Sequence, residues 1–247
     1  MRVPEVAAPA HTGSRTTRGL GAVVAAGLAA VVILALFVTP PDREQSDAVR
    51  LLYLHVPAVS VSYVAFAVTT LGSVLWLWKK SRWWDLVAAS SAEIGLVLTC
   101  VTLVSGALWG RPIWGTYWTW DARLTSTALL FLLVVGYLAV RQVPAEAPAR
   151  NTRAAIVALL IAADLPIVHF AVDWWQGLHQ DATIGTTDVQ IDGLMLFTLM
   201  LGMTVMLGLY VWLLIHRFRV AWLEERAADR GLEHALAERR AEAGVGV

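Results

Sequence analysis

The sequence predicts an all-α integral membrane protein, a bundle of six transmembrane helices. Of its 247 residues, 57% are hydrophobic and only 15% are charged, and the mean hydropathy is +0.62. A soluble domain of this length needs far more charge to cover its surface. Six apolar segments have the length of about 18–25 residues that crosses a hydrocarbon core. Because lipid offers backbone groups no partners, each segment should be a helix.

The six predicted helices follow one another with short connections. They cover residues 19–39, 57–79, 85–108, 124–141, 153–172 and 193–215. The first is longer than the apolar part of a secretory signal and no small-x-small cleavage site follows it, so we expect a retained helix. The predicted organisation is a cytoplasmic N-terminal tail (1–18), a six-helix membrane domain (19–216) and a cytoplasmic helical tail (217–247).

The distribution of basic residues orients the bundle. With a cytoplasmic N-terminus, all of the 19 Lys and Arg residues lie on the cytoplasmic side except Arg43, Arg50, Arg111 and Arg123. This bias predicts that both termini are cytoplasmic. The connections 40–56, 109–123 and 173–192 are then external. We expect the function in these external connections, because binding residues concentrate in loops held by a rigid scaffold.

The connection 109–123 has an unusual composition. Its aromatic and charged residues are Trp109, Trp114, Trp118, Trp120, Tyr117, Arg111, Arg123 and Asp121. Gly110, Pro112 and Gly115 should interrupt the helix at the start of this stretch and give a shaped loop. If 113–123 were helical instead, Trp114, Trp118 and Asp121 would share one face. Aromatic faces beside cations suit a large, flat, apolar ligand with acidic groups, such as haem.

The tryptophans also have a simpler explanation. The twelve of them divide evenly between the two membrane boundaries, which is the distribution that two interfacial aromatic belts produce. The count therefore favours no binding site. Their spacing favours a binding site, because the tryptophans of 109–120 are crowded beside helix breakers and charges that a membrane anchor does not need.

Three histidines lie on the predicted external side, namely His55, His169 and His179. A lone external histidine is usually a bystander. Two at helix ends that flank an aromatic loop, His55 and His179, can supply both axial ligands of one haem iron. We interpret His169 as a structural residue or as one that supports a neighbouring ligand.

Several segments taken together resemble a known family. They are the Leu54-His55-Val56-Pro57 element, Gly106 through Pro112, Trp120 through Ser126, and Asp173-Trp174-Trp175 through Leu178-His179-Gln180. Over residues 50–215 they are similar, in order and spacing, to the haem-handling protein C family of cytochrome c maturation (CcmC, or haem exporter protein C). The longer cytochrome c synthetases share the tryptophan-rich motif and are the alternative family.

The resemblance implies a role and a set of partners. It implies that His55 and His179 are the axial ligands of one non-covalent haem b, and that the tryptophan-rich loop presents this haem on the periplasmic face to a periplasmic haem chaperone. The implied partners are an ATP-binding-cassette ATPase, its membrane subunit and a small single-span subunit, beside membrane lipid and no nucleic acid. A subunit that conducts haem across the membrane is the alternative role. A membrane cytochrome b, which usually carries its histidines within helices, is a third.

Chemistry, rather than the resemblance, assigns roles to the remaining residues. The tryptophans should cover the porphyrin. Arg111 and Arg123 are the best candidates to pair with the propionates, with Arg50 as a third. Asp121 should orient one of these arginines or accept a hydrogen bond from an indole. We expect no enzymatic activity, since no Gly-x-x-x-x-Gly-Lys-Ser/Thr loop is present. Glu93 and Asp164 lie inside predicted helices and should face the bundle interior.

Overall fold

The computed structural model describes residues 13–175, 177–179, 191 and 193–244, with side chains as far as Arg239. It is built from six long helices: α1 (Arg15–Ile33), α2 (Leu52–Lys79), α3 (Arg82–Trp114), α4 (Ala122–Gln142), α5 (Ala147–Trp174) and α6 (Gly193–Gly244). A π-helical turn, Leu34–Val38, prolongs α1, and a 3-10 turn, Asp47–Leu51, leads into α2. By length and composition all six can cross a membrane, which confirms the predicted fold class.

Two helix ends differ from the prediction. Helix α2 begins at Leu52, so Pro57 lies inside the helix and not at its start. Pro57 leaves one backbone carbonyl without its usual helical partner. The turn is nevertheless held, because Leu52 and Tyr53 are buried in a hydrophobic cluster with Met195 and Leu199 of α6. Tertiary burial here outweighs the local preference of proline.

The prediction that 109–123 is a loop from its beginning is wrong for the first part of the segment. Helix α3 continues through Gly110 and Pro112 and ends at Trp114. It stops because Gly115 adopts the left-handed conformation (φ 75°), which favours glycine, and its amide donates to the Arg111 carbonyl at 3.1 Å. The last turn is also held by Trp109, whose indole Nε1 donates to Gln45 Oε1 at 2.9 Å.

Helix α2 is the centre of the bundle. It contributes to all three hydrophobic clusters of the bundle. One cluster joins α2 to α3, α4 and α5, a second joins it to α3 and α6, and the third joins it to α6 at the end that carries His55. Small residues let the helices approach closely, as is usual when lipid provides no hydrophobic drive for helix association. The fully buried alanines on these faces are Ala58, Ala65, Ala88, Ala92 and Ala158. The position of His55 is therefore set by the packed core.

The opposite end of the bundle is held by ion pairs. Arg141 of α4 donates twice to Asp85 of α3, at 2.7 and 2.8 Å. Glu93 of α3 pairs with Arg217 of α6, so this carboxylate binds a neighbouring helix.

Asp164 is buried as expected, and its carboxylate oxygens accept no hydrogen bond from the residues that the structure describes.

Helix α6 runs without a break from the last predicted span into the predicted tail. Its 52 residues, at about 1.5 Å each, exceed twice the ~30 Å thickness of a hydrocarbon core. Arg82 pairs with Asp229 at 3.0 Å, which ties the extension to the start of α3. From Arg226 to Arg239 every side chain is exposed. The extension therefore projects from the bundle end that carries most of the basic residues.

Replacing Arg141 with leucine should lower the free energy of unfolding by roughly 3–5 kcal/mol, because Asp85 would remain as an uncompensated buried charge. The two side chains are 12% and 5% exposed, so solvent offers little compensation. Unfolding in detergent, followed by circular dichroism, measures the loss. The double variant Asp85→Leu/Arg141→Leu should recover most of it. The exposed Arg153→Leu is the control, with a change within about 0.5 kcal/mol. A double variant as unstable as the single one contradicts the coupling.

Candidate functional site

His55, in the first turns of α2, is held in a defined tautomer. Its Nδ1 lies 3.0 Å from Ser105 Oγ on α3. The Ser105 hydroxyl lies 2.6 Å from the Val101 carbonyl, to which it donates its only proton. Nδ1–H of His55 must then donate to Ser105, and Nε2 carries the free lone pair. A histidine that binds a metal is usually oriented by such a hydrogen bond from its second nitrogen.

The surface of α3 is shaped to receive this imidazole. A Cβ atom added at Gly106 would lie 2.9 Å from Cε1 of His55, closer than real side chains allow. The absence of a side chain at this position lets the ring lie against α3. The Trp109 ring meets the His55 ring edge-on, with centroids 5.8 Å apart. These contacts leave His55 little freedom to rotate.

The His179 ring also has an oxygen atom beside its Nδ1, in this case from the carboxylate of Asp121. Its Nδ1 lies 3.6 Å from Asp121 Oδ2, slightly beyond hydrogen-bond distance. Asp121 is the N-cap of α4, and its Oδ1 accepts from the Leu124 amide at 2.8 Å. Its Oδ2 also accepts from the Thr119 hydroxyl at 3.2 Å. The carboxylate is thus held in place beside Nδ1 of His179.

The environment keeps His179 in the neutral form that binds a metal. Desolvation lowers the pKa of the His179 imidazole below its ordinary value, and this effect outweighs the opposing influence of the Asp121 carboxylate. The positive charge of Arg123 lowers the pKa further. The Trp114 ring, 4.8 Å from the His179 ring, provides part of the covering. At neutral pH, protons therefore compete only weakly with a metal for the imidazole of His179.

Arg123 links the two histidines. It lies within electrostatic range of both His55 and His179, and the two imidazoles lie within that range of each other, so the three side chains form one cluster. Nη2 of Arg123 donates to the His169 carbonyl at 2.8 Å. Its buried Nε has no hydrogen bond to the described part of the chain. The guanidinium thus retains donors for an anionic ligand beside the imidazoles.

Asp121 and the loop aromatics differ from their predicted arrangement. We expected Asp121 to orient an arginine or to accept from an indole, but it caps α4 and faces His179 instead. Trp114, Trp118 and Asp121 do not share a helical face, because the chain between Gly115 and Asp121 is not helical. Trp118 packs edge-on against Trp120 at 5.5 Å, and Trp120 is 82% exposed. Of Trp114, Trp118 and Asp121, only Trp114 lies in α3, as its last residue.

The other two predicted arginines are used in the scaffold. Arg111 donates to the Gly115 carbonyl at 2.6 Å and lies over the Tyr117 ring at 5.6 Å, so it closes the end of α3. Arg50 bonds to the Ala35 carbonyl and pairs with Asp47 at 3.0 Å, which ties α1 to the 3-10 turn. Of the three arginines, Arg123 is the one placed beside both histidines.

Some parts of the predicted site lie outside the described residues. They are Gln176 and Gln180 of the last motif and most of the connection 173–192. Sequence reasoning also missed Ser105, which orients His55. Ser105 precedes Trp109 by one helical turn and so lies on the same face of α3. This spacing is the signal that could have identified it.

Comparison with known proteins identifies the family of this chain. Residues 5–233 match the family model described as Heme exporter protein C. The chain is 35% identical over 200 residues to the heme exporter protein C of Haemophilus influenzae, covering 79% of this chain and 80% of that protein. It is 38% identical over 190 residues to that of Bradyrhizobium diazoefficiens, covering 74% and 71%. A ccmC-like mitochondrial protein of cytochrome c biosynthesis from Marchantia polymorpha is 36% identical over 173 residues, covering 70% and 73%. The chain belongs to the heme exporter protein C family.

Proposed function

We propose that this protein binds one haem b non-covalently between His55 and His179 and presents it to a periplasmic haem chaperone during the biogenesis of c-type cytochromes. One observation carries the proposal. Both imidazoles turn Nδ1 towards a fixed oxygen, Ser105 Oγ in one case and Asp121 Oδ2 in the other. Both Nε2 atoms are then left to bind a metal.

The number of ligands favours haem over a bare metal ion. Among the described residues, no group of three or more His, Cys, Asp or Glu side chains is arranged to hold a metal. Two imidazoles alone are too few for a stable transition-metal site, which usually has at least three protein ligands. Iron in a porphyrin brings four nitrogens of its own and needs only the two axial ones. The donor set of the site therefore fits haem.

The remaining side chains fit the rest of the ligand. Arg123 offers its guanidinium to a propionate, as a charged donor close to both imidazoles. Trp114 and Trp118 offer apolar area for the porphyrin faces with little loss of side-chain freedom. The buried Nε1 of Trp118 has no acceptor within the described residues and is a second donor to a carboxylate. Haem when bound supplies the iron, and the chain supplies its orientation and charge balance.

The exposed aromatic residues provide the surface for transfer. Trp120 is 82% and Tyr117 56% exposed, next to the covered residues of the same loop. Aromatic residues with this exposure are typical of protein interfaces. We propose that this loop faces the periplasm from a bacterial inner membrane, and the bias of Lys and Arg towards the other end of the bundle supports that orientation. A periplasmic chaperone can then approach it from water.

The protein acts as a subunit of a larger complex and not as an enzyme. Its relatives are named heme exporter proteins, and export requires energy. The sequence has no nucleotide-binding loop of the Gly-x-x-x-x-Gly-Lys-Ser/Thr type. The proposed partners are therefore an ATP-binding-cassette ATPase, its membrane subunit and a small single-span subunit. Binding and release of haem, without a catalytic step in this chain, is its proposed contribution.

Changing either axial histidine to alanine should remove the low-spin spectrum of bis-histidine haem. We expect the haem content of purified His55→Ala and His179→Ala variants to fall at least tenfold, because each loses one of only two protein ligands. Absorption spectra and haem quantification of the purified proteins measure this. His234→Ala, an exposed change on the α6 extension, is the control. If both ligand variants keep the unmodified spectrum and haem content, the axial assignment is wrong.

The residues behind the histidines should matter nearly as much. Ser105→Ala and Asp121→Asn should each weaken haem binding by about 10–100-fold, as changes to the outer partners of metal ligands do. Asparagine is also a good N-cap, so the second change removes the charge and keeps the start of α4. Haem titration of the purified protein gives the affinity. Asp47→Asn, an exposed carboxylate in the 3-10 turn, is the matched control. Affinities equal to that of the control contradict the orienting roles.

A further inference from the structure

A groove between α2 and α5 opens on the outside of the bundle. It encloses about 570 Å³, and its wall includes Tyr63, Leu71, Leu165, Pro166, His169 and Phe170. The groove extends from the middle of α5 towards the end that carries the haem site, in the part of the bundle that lies in lipid. The wall also includes Ala67, and it is almost wholly apolar, with Tyr63, Thr70 and His169 as its polar side chains.

His169 is unusual in this position. It is an exposed polar side chain on a membrane-spanning helix. Its ring makes edge contacts with Tyr63 (6.4 Å) and Phe170 (4.7 Å), and its nitrogens make no hydrogen bond to the described residues. Polar groups at the lipid face are costly, and when they occur they mark binding or transport pathways. The groove thus contains one nitrogen ligand without a structural task.

The groove ends next to the candidate haem site along α5, because Phe170 lines the groove and the following residue, Ala171, lines the cleft that contains His179. The His169 carbonyl accepts from Nη2 of Arg123 at 2.8 Å, so the cation of the site lies at the upper end of the groove. An aromatic row leads onward along α5. Phe170 stacks on Trp174 at 5.5 Å, Trp174 meets Trp175 at 5.7 Å, and Trp175 lines the same cleft as His179.

We propose that this groove accepts haem sideways from the adjacent half of the bilayer, with His169 as the iron ligand. This inference rests on the proposed function. A flat apolar ring fits a groove lined almost wholly by apolar atoms, the iron accounts for the imidazole, and a propionate reaches Arg123. The haem then moves to the binding site by ligand exchange. The iron bond to His169 breaks, the bonds to His55 and His179 form, and no electron is transferred.

The first test measures how fast haem arrives from a membrane. The purified chain in lipid nanodiscs is mixed with phosphatidylcholine vesicles that contain haem, and growth of the bis-histidine Soret band is followed. Ala67→Trp fills the groove and His169→Phe removes only the nitrogen. We expect both changes to slow loading at least fivefold. Val97→Trp, an equally bulky change on the exposed face of α3, should stay within twofold of the unmodified chain. Equal rates in all four proteins overturn the proposal and leave the groove as an acyl-chain site.

The second test asks for haem on His169 itself. In a chain with His55→Ala and His179→Ala, the groove should still take haem from the vesicles and give a high-spin, five-coordinate spectrum. Adding His169→Phe should abolish that spectrum. A spectrum that is absent from the first chain, or unchanged by the added substitution, overturns the role of His169. Failure of the proposed function is distinguishable, because the unmodified chain and Val97→Trp would then show no bis-histidine band from any haem source, and both proposals would fall.

Discussion

The contact between α2 and α3 is the constraint on which the site depends. It is fixed at two points along its length. In the core, the Ser91 hydroxyl donates to the Ala65 carbonyl at 2.7 Å and also bonds to Tyr210 of α6 at 2.8 Å. At the end that carries the site, Ser105 meets His55. A polar contact between membrane helices contributes only about 0.6 kcal/mol on average. Close packing of small residues therefore holds the helices together, and these hydrogen bonds determine their register.

The two histidines are supported differently, because only His55 takes part in the contact between α2 and α3. His55 lies in a helix and its outer partner is an uncharged hydroxyl. His179 lies in the connection between α5 and α6, and its partner is a carboxylate held by the N-terminus of α4. A bis-histidine iron has no open position, so any hand-off of haem must release one imidazole. His179 lies beyond the packed core, and its Nδ1 is 3.6 Å from Asp121 Oδ2. It therefore has fewer interactions to lose than His55.

The sequence predicted the architecture well because hydropathy and length govern membrane spans. The motifs that carry His55, His179 and Asp121 also flank the same end of the bundle, and the structure brings these three side chains near one another. The prediction failed where tertiary contacts override local preference. Pro112 should have ended α3, but the packing of Trp109 keeps the last turn helical. Ser105 was missed because its contact with His55 depends on how α2 and α3 are rotated, and hydropathy does not report that rotation.

Buried side-chain atoms without a hydrogen bond occur at both ends of the bundle, and Ser90 Oγ is one of them at the basic end. At the basic end, the atoms without hydrogen bonds in Arg217 and Glu225 still lie in ion pairs. At the other end, Trp118 Nε1 and Arg123 Nε are buried and find no acceptor among the described residues. Each such group costs roughly 1–3 kcal/mol. Folding alone gives no reason to keep two of them beside a pair of imidazoles. In the function that we propose, a ligand with carboxylates and an iron satisfies both donors and both nitrogens at once, which gives the fold a reason to bear this cost.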